Sequence, residues 1–161
     1  MTHRKLLMAG AIIGSVITLA CSDTTAPREQ ANPVNPSATA GVTQITFTKW
    51  FTTPPFMTGI TSYGEGTFAG QILKRTAFAN GVVVQLEARY QVTDPSGANS
   101  FTAHIEGTEN LQTLKAVLNG VVTDGAMVGS RVHVEFQVIK PCEIVVPAQP
   151  VCFQGTIQIQ G

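Results

Sequence analysis

The residues best suited to chemistry are two His-x-Glu pairs, His104 with Glu106 and His133 with Glu135. Because side chains two residues apart on a β-strand share a face, each pair would present an imidazole and a carboxylate together. If the two strands were neighbours, the four groups could bind a divalent metal or transfer protons. The same residue types also suit the solvated outer face of a sheet, and this second interpretation is the one that we favour.

Three aromatic residues suggest a different kind of site, one for an apolar ligand. Trp50 precedes a proline-containing loop at residues 52–55, Phe56 follows that loop, and Tyr90 belongs to the strongest predicted strand. An apolar cluster at the mouth of a barrel could admit a lipid or another apolar molecule. Trp50 could equally fill the end of the barrel as part of the core, which we prefer because large aromatic side chains dominate core energetics.

The sequence carries none of the stronger catalytic signatures. It has no Gly-x-Ser-x-Gly elbow, phosphate-binding loop, His-Glu-x-x-His motif or dinucleotide fingerprint. We therefore assign no catalytic residue and expect no cofactor. The 10 Lys and Arg are matched by 10 Asp and Glu, so there is no basic excess of the kind that nucleic acid requires.

The N-terminus predicts export from the cytoplasm. His3, Arg4 and Lys5 form a short basic segment, and residues 6–19 carry no charge and are mostly apolar. This order is typical of a secretory signal peptide. The apolar stretch is shorter than the roughly 20 residues that a membrane-spanning helix needs.

The segment Ile17-Thr18-Leu19-Ala20-Cys21 resembles the lipobox of bacterial lipoproteins. The resemblance implies cleavage after Ala20 and lipidation of Cys21, which would hold the protein at a membrane. Residues 22–40 are rich in Ser, Thr, Pro, Ala and Asn and cannot bury enough apolar area to fold, so we expect a flexible tether. Since Ser22 rather than Asp follows Cys21, the family resemblance favours the outer membrane of the cell envelope, on its periplasmic or surface face.

Two cysteines remain once Cys21 is assigned to lipid. Cys142 and Cys152 form an even pair, and an exported domain can keep a disulfide. A redox pair and a pair of metal ligands are the alternatives, although two cysteines alone do not complete a zinc site. We favour a structural disulfide.

Strict alternation of apolar and polar residues predicts β-strands. The clearest example covers residues 82–93, with Asn80-Gly81 before it and an Asp-Pro-Ser-Gly turn at residues 94–97 after it. The other predicted strands are residues 44–51, 60–63, 67–78, 99–106, 114–123, 128–139 and 152–160. Between two of these strands, residues 107–113 could form one helical turn.

These strands predict an all-β domain at residues 41–161, after a signal peptide at 1–20 and the lipidated tether at 21–40. Seven or eight long antiparallel strands in a meander would leave a long exposed edge unless the sheet closed, so we expect a small barrel. A two-sheet sandwich is the alternative. A membrane-spanning barrel fits less well, because aromatic residues are only 7% of the chain and interfacial girdles require them.

The segment Gly107-Thr108 and the strand at residues 114–122 resemble the closing part of small secreted barrels related to allene oxide cyclases and dirigent proteins. The resemblance bears on fold alone, and we transfer no active-site residue from those enzymes. The function that we expect is a non-enzymatic envelope module that binds an apolar ligand or an envelope protein, or has a structural role. The alternative is an enzyme that uses a barrel pocket or a metal at the two His-x-Glu pairs.

Overall fold

The computed structural model describes residues 41–78, 80–145 and 147–161. The signal peptide, lipidation site and tether predicted within residues 1–40 lie outside the described residues. Those described residues contain no helix that could cross a membrane. The strands are β1 (Val42–Phe51), β2 (Phe56–Thr61), β3 (Thr67–Ala77), β4 (Val83–Thr93), β5 (Phe101–Asn110), β6 (Lys115–Gly125), β7 (Arg131–Ile139) and β8 (Cys152–Gln160).

The eight strands form one closed antiparallel barrel in sequence order. Each strand pairs with the next, and β8 pairs back onto β1 from Val42↔Gln160 to Lys49↔Phe153. The prediction of an all-β meander closed into a small barrel is confirmed, and the sandwich alternative is not observed. Closure gives every strand two neighbours, which removes the exposed edges of an open sheet.

Strand β4 shows how the sequence builds the wall. Its apolar residues from Val84 to Val92 are buried inside, while Gln85, Arg89 and Gln91 point outward. The turn before β4 is fixed by Asn80, whose side-chain oxygen accepts a hydrogen bond from the Val82 amide at 3.0 Å. Such local hydrogen bonds are why Asn favours turns.

Two strand boundaries differ from the sequence-based prediction because of local turn chemistry. β5 continues to Asn110 instead of giving way to a helical turn at residues 107–113, and the Asn110 side chain then accepts hydrogen bonds from the next turn. β7 begins at Arg131 rather than at residue 128, because Met127 (φ 64°) and Gly129 (φ 87°) adopt the left-handed conformation of a turn. The short strand expected at 60–63 is the end of β2, which starts at Phe56.

The barrel has two unlike ends. The terminal end, where β1 begins and β8 finishes, is filled by buried apolar side chains. They include Ile45, Val92, Phe101, Val122, Val132 and Ile159. The mouth end, where β1, β3, β5 and β7 finish, holds a cavity between the strands.

A small second core lies outside the barrel wall beneath the β7–β8 loop. Cys142 and Cys152 lie at disulfide-bonding distance, with their Cα atoms 5.5 Å apart, as the sequence predicts. With Val145 they form a buried cluster against which Trp50 and Ile139 pack. The disulfide therefore fastens the loop to the end of the barrel that contains the cavity.

Candidate ligand-binding cavity

The cavity at the mouth end has a volume of about 320 Å³, at the lower limit of small-molecule pockets. Its walls are mainly apolar, and its polar side chains are few. The apolar walls include Met57, Ile72, Leu86, Ala88, Leu118 and Phe136, and the polar side chains are Lys49, Arg75, Tyr90, Glu109 and Lys140. A concave apolar space with a few polar groups is the usual form of a binding site for a small molecule.

Lys49 is the most unusual residue of the cavity, because it is buried at 1% exposure on the inner face of β1. Its Nζ atom is hydrogen bonded to the hydroxyl of Tyr90. Five aromatic rings surround the same Nζ atom, which lies 4.0 Å from the centre of Tyr90 and 4.3 Å from that of Phe136. The rings of Phe47, Phe68 and Phe153 are 5.1, 5.4 and 5.7 Å away.

Two glycines provide the space that Lys49 and its aromatic neighbours occupy. Gly59 pairs with Lys49 across β1 and β2, and a Cβ atom there would overlap the backbone of Thr48 and approach Lys49. Gly70 pairs with Tyr90, and a Cβ atom there would lie only 2.9 Å from the ring of Phe68. A larger residue at either position would force the inner layer to rearrange.

Burial controls the protonation of the Lys49–Tyr90 pair. It lowers the pKa of Lys49 well below its ordinary value, and the negative charge of Glu109 opposes this as a smaller effect. Burial, assisted by the same Glu109 charge, raises the pKa of Tyr90, so its phenol stays protonated. Within the described ranges, no carboxylate lies within 4.0 Å of Nζ of Lys49 to form an ion pair with it.

The rim of the cavity carries Arg75, Glu109 and Lys140. Arg75 reaches this rim because a bulge between Ile72 and Lys74 shifts the register of β3. An extra residue in a strand exchanges its two faces from that point on. Arg75, rather than Lys74, therefore pairs in register with the inward-facing Leu86.

The two His-x-Glu pairs lie on the outer surface and on strands that are not neighbours. β5 and β7 are separated by β6, so the condition for a four-residue cluster is not met. His104 lies 3.2 Å from Glu87 on β4, while His133 contacts Asn119 at 2.8 Å and Glu135 at 3.2 Å. In the described part of the chain, no three His, Cys, Asp or Glu side chains are grouped in a way that could hold a metal ion.

The three aromatic residues considered for an apolar ligand separate into different places. Tyr90 lines the cavity at its closed side. Trp50 follows Lys49 in β1, so it faces outward and packs beneath the disulfide loop instead of filling the barrel end. Phe56 is half exposed at the start of β2 and is not among the residues that line the cavity.

Lys49 and Glu109 are functional candidates that the sequence-based reasoning missed. Both occupy inward positions of alternating strands: Lys49 follows Ile45 and Phe47 at a spacing of two, and Glu109 follows Ile105 and Gly107 at the same spacing. A charged residue at an apolar position of a regular alternation was the signal that could have found them.

The arrangement offers hydrogen-bond donors at the closed side of an apolar cavity. The amine of Lys49 and the phenol of Tyr90 could both donate to one acceptor atom of a bound molecule, and the walls would contact its apolar part. Arg75, Glu109 and Lys140 would meet any polar group left at the rim. No protein-family model, curated protein or solved structure matches this chain.

Proposed function

We propose that this chain is an exported lipoprotein whose barrel binds a small, largely apolar molecule in the mouth-end cavity. The observation that carries the binding function is a cavity of about 320 Å³ in a barrel whose other end is filled. The cavity opens at the mouth, so its mainly apolar walls contact water in the free protein, which costs free energy. A ligand would displace that water and contact the walls.

Support for attachment through Cys21 comes from the sequence, in the lipobox-like segment at residues 17–21 and the tether-like composition of residues 22–40. The barrel itself begins with β1 at Val42.

The binding function is tested with an uncharged fluorescent probe, N-phenyl-1-naphthylamine, which becomes bright in apolar surroundings. We expect the purified chain to bind the probe at a single site. The variant Ala88→Phe should abolish this binding, because Ala88 lines the cavity and a phenyl ring would fill it. The matched control is Ala69→Phe, since Ala69 is exposed on the outer face of β3.

Thermal unfolding of both variants shows whether the barrel remains folded. Equal probe binding by the wild type and a folded Ala88→Phe variant would place the probe elsewhere and remove the cavity from the proposal. Loss of binding in Ala69→Phe as well would point to the outer surface instead.

The lipid anchor is tested separately on the full chain produced in a bacterial host. We expect mass spectrometry to find a mature N-terminus at Cys21 carrying acyl chains, and detergent-phase partitioning to place the protein with the membrane fraction. Cys21→Ser should leave the protein unacylated and in the aqueous phase, because acyl chains provide the membrane affinity. Unacylated wild-type protein that begins at Met1 would contradict the proposal.

A further inference from the structure

We propose that the molecule bound in the cavity is a small apolar acid, whose carboxylate pairs with Lys49 and Tyr90 while its hydrocarbon part contacts the walls. This inference rests on the proposed function and names the chemical class of the ligand. It follows from three features of the cavity, which are its unused donors, its charges and its apolar walls.

The donors of Lys49 are only partly used. A neutral amine has two N–H donors and an ammonium group has three, and the single hydrogen bond of Nζ within the described residues goes to Tyr90. Aromatic rings also surround Nζ; they attract a cation through their faces but do not replace a carboxylate oxygen. A carboxylate can accept from both the Lys49 amine and the Tyr90 hydroxyl.

The charges of the cavity favour an anion. Lys49, Arg75 and Lys140 are basic, and Glu109 is the acidic residue among the lining side chains. Since no carboxylate in the described ranges is within ion-pairing distance of Lys49, a ligand with its own negative charge would supply the missing partner. A buried charge is costly unless it is paired.

The ligand must also be largely apolar. Met57, Leu86, Leu118 and Phe136 line the space beside Lys49, and these side chains offer no hydrogen bonds to a polar molecule. A small inorganic anion would leave these walls uncovered. An acid with a short hydrocarbon chain would place its carboxylate against the donors at the closed side and its chain against the apolar walls.

Binding of such an acid should be coupled to proton uptake. Burial lowers the pKa of Lys49, and a bound carboxylate would raise it again by pairing with the ammonium form. The other ionisable groups of the cavity are Tyr90, Glu109, Arg75 and Lys140. Of these five ionisable groups, Lys49 is the buried one whose pKa is lowered.

The test compares octanoate with 1-octanol, which has the same chain length and no charge, by isothermal titration calorimetry. We expect the wild type to prefer octanoate by at least about tenfold, equivalent to about 1.4 kcal/mol. Lys49→Met, which keeps the length of the side chain, should lose this preference, because no ammonium group remains to pair with the carboxylate. Lys115→Met is the matched control, since Lys115 is exposed on β6.

Titrations in phosphate and in Tris buffer report the proton, because the two buffers differ in ionisation heat. We expect octanoate binding to the wild type to take up as much as about one proton, and its affinity to fall by up to about tenfold per pH unit as Lys49 loses its proton in the free protein. Neither effect should occur with octanol or in Lys49→Met.

The outcomes separate this inference from the proposed function. Equal affinities of the wild type for octanoate and octanol would overturn the inference and leave the binding function in place, even if Lys49→Met failed to fold. Absence of binding by both molecules would overturn both. A further experiment uses octanal, which can form an imine with the Lys49 amine, with loss of water, and borohydride reduces that imine to a stable adduct. If this adduct formed and the wild type showed no preference for octanoate, Lys49 would be an amine that reacts with carbonyl groups, and the inference would be overturned.

Discussion

At the scale of single residues, Lys49 is held in the core against the usual cost of burying an amine. A lysine is almost never fully buried unless it is paired, and removing its charge from water costs several kcal/mol. Contact with the ring faces of Tyr90 and Phe136 returns about 2 kcal/mol for a desolvated cation. The cost of burial is the larger effect, so the neutral amine is favoured and the pKa of Lys49 is lowered.

The lowered pKa of Lys49 gives the barrel a pH-dependent stability of known sign. Between the folded-state pKa and the ordinary value of 10.5, the unfolded chain binds a proton that the folded chain does not. The free energy of unfolding should therefore rise with pH in this window, by up to about 1.4 kcal/mol per pH unit. Urea denaturation of the wild type and Lys49→Met at several pH values from about 7 to about 9.5 measures the difference.

The comparison ends at about pH 9.5 so that ionisation of Tyr90 in the unfolded chain does not contribute to it. Because burial raises the pKa of Tyr90 above its ordinary value of 10.0, the unfolded chain would lose the phenol proton first, and stability would fall at higher pH. If the difference between the wild type and Lys49→Met did not change with pH below this limit, Lys49 would not be a buried amine of lowered pKa.

Removal of the Tyr90 hydroxyl should destabilise the barrel only while Lys49 is present. Tyr90→Phe leaves Nζ without its hydrogen bond, which should cost about 1–3 kcal/mol in urea denaturation because a buried donor loses its partner. In a Lys49→Met background the same change should cost less than about 0.5 kcal/mol, since no donor is left unpaired. Equal costs of Tyr90→Phe in the two backgrounds would show that the Tyr90 hydroxyl and the Lys49 amine do not stabilise the barrel through a shared hydrogen bond.

At the scale of strands, β1 shows what the sequence could predict and what it could not. Its alternation predicted a strand, and β-strand geometry then places Lys49 inside and Trp50 outside. A lysine is ordinarily assigned to the solvent face, and a tryptophan to the core. The barrel reverses both, because the inner face of β1 borders a cavity and its outer face is covered by the disulfide loop.

The rim of the cavity was less predictable than the strands around it. Arg75 faces the cavity only because of the bulge between Ile72 and Lys74, and a regular alternation along β3 would have put Lys74 there instead. Bulges depend on how two strands pair, which one strand's pattern does not reveal. The separation of His104 from His133 also depended on strand order, since β6 lies between their strands.

The disulfide loop should stabilise the mouth end and should be observable through one fluorophore. Trp50 is the single tryptophan of the chain and packs against Cys142 and Cys152. We expect Cys142→Ala/Cys152→Ala to lower the free energy of unfolding by about 2–4 kcal/mol, because the unfolded chain loses a cross-link. Tryptophan-monitored urea denaturation measures this change.

Reduction of the wild type provides the matching control. Dithiothreitol should shift the wild-type transition toward that of the double alanine variant and alter Trp50 emission, while the variant itself should not respond. A response of equal size in both proteins would show that the reagent acts elsewhere, and identical stabilities would show that the cross-link has no energetic role.

At the scale of the whole molecule, barrel closure depends on the contact that is longest in sequence. Pairing of β1 with β8 joins Val42 to Gln160, whereas the other strand pairs are formed by strands that follow each other in the sequence. Residues that are far apart in the sequence can make contact only after the chain has lost the conformational entropy of the long loop between them. We therefore expect the β1–β8 seam to form late in folding, after the hairpins around β4, β5 and β6.

Three matched substitutions test this order of folding. Ile45 and Ile157 face each other across the seam, and Ile105 lies in β5 between β4 and β6; all three are fully buried at 0% exposure. Ile→Val at each position should cost about 0.5–1.5 kcal/mol. At Ile45 and Ile157 this cost should mainly speed unfolding, whereas at Ile105 it should also slow folding. Stopped-flow kinetics in urea separate the two rates, and a folding rate as sensitive at the seam as at Ile105 would mean that the barrel closes before its rate-limiting step.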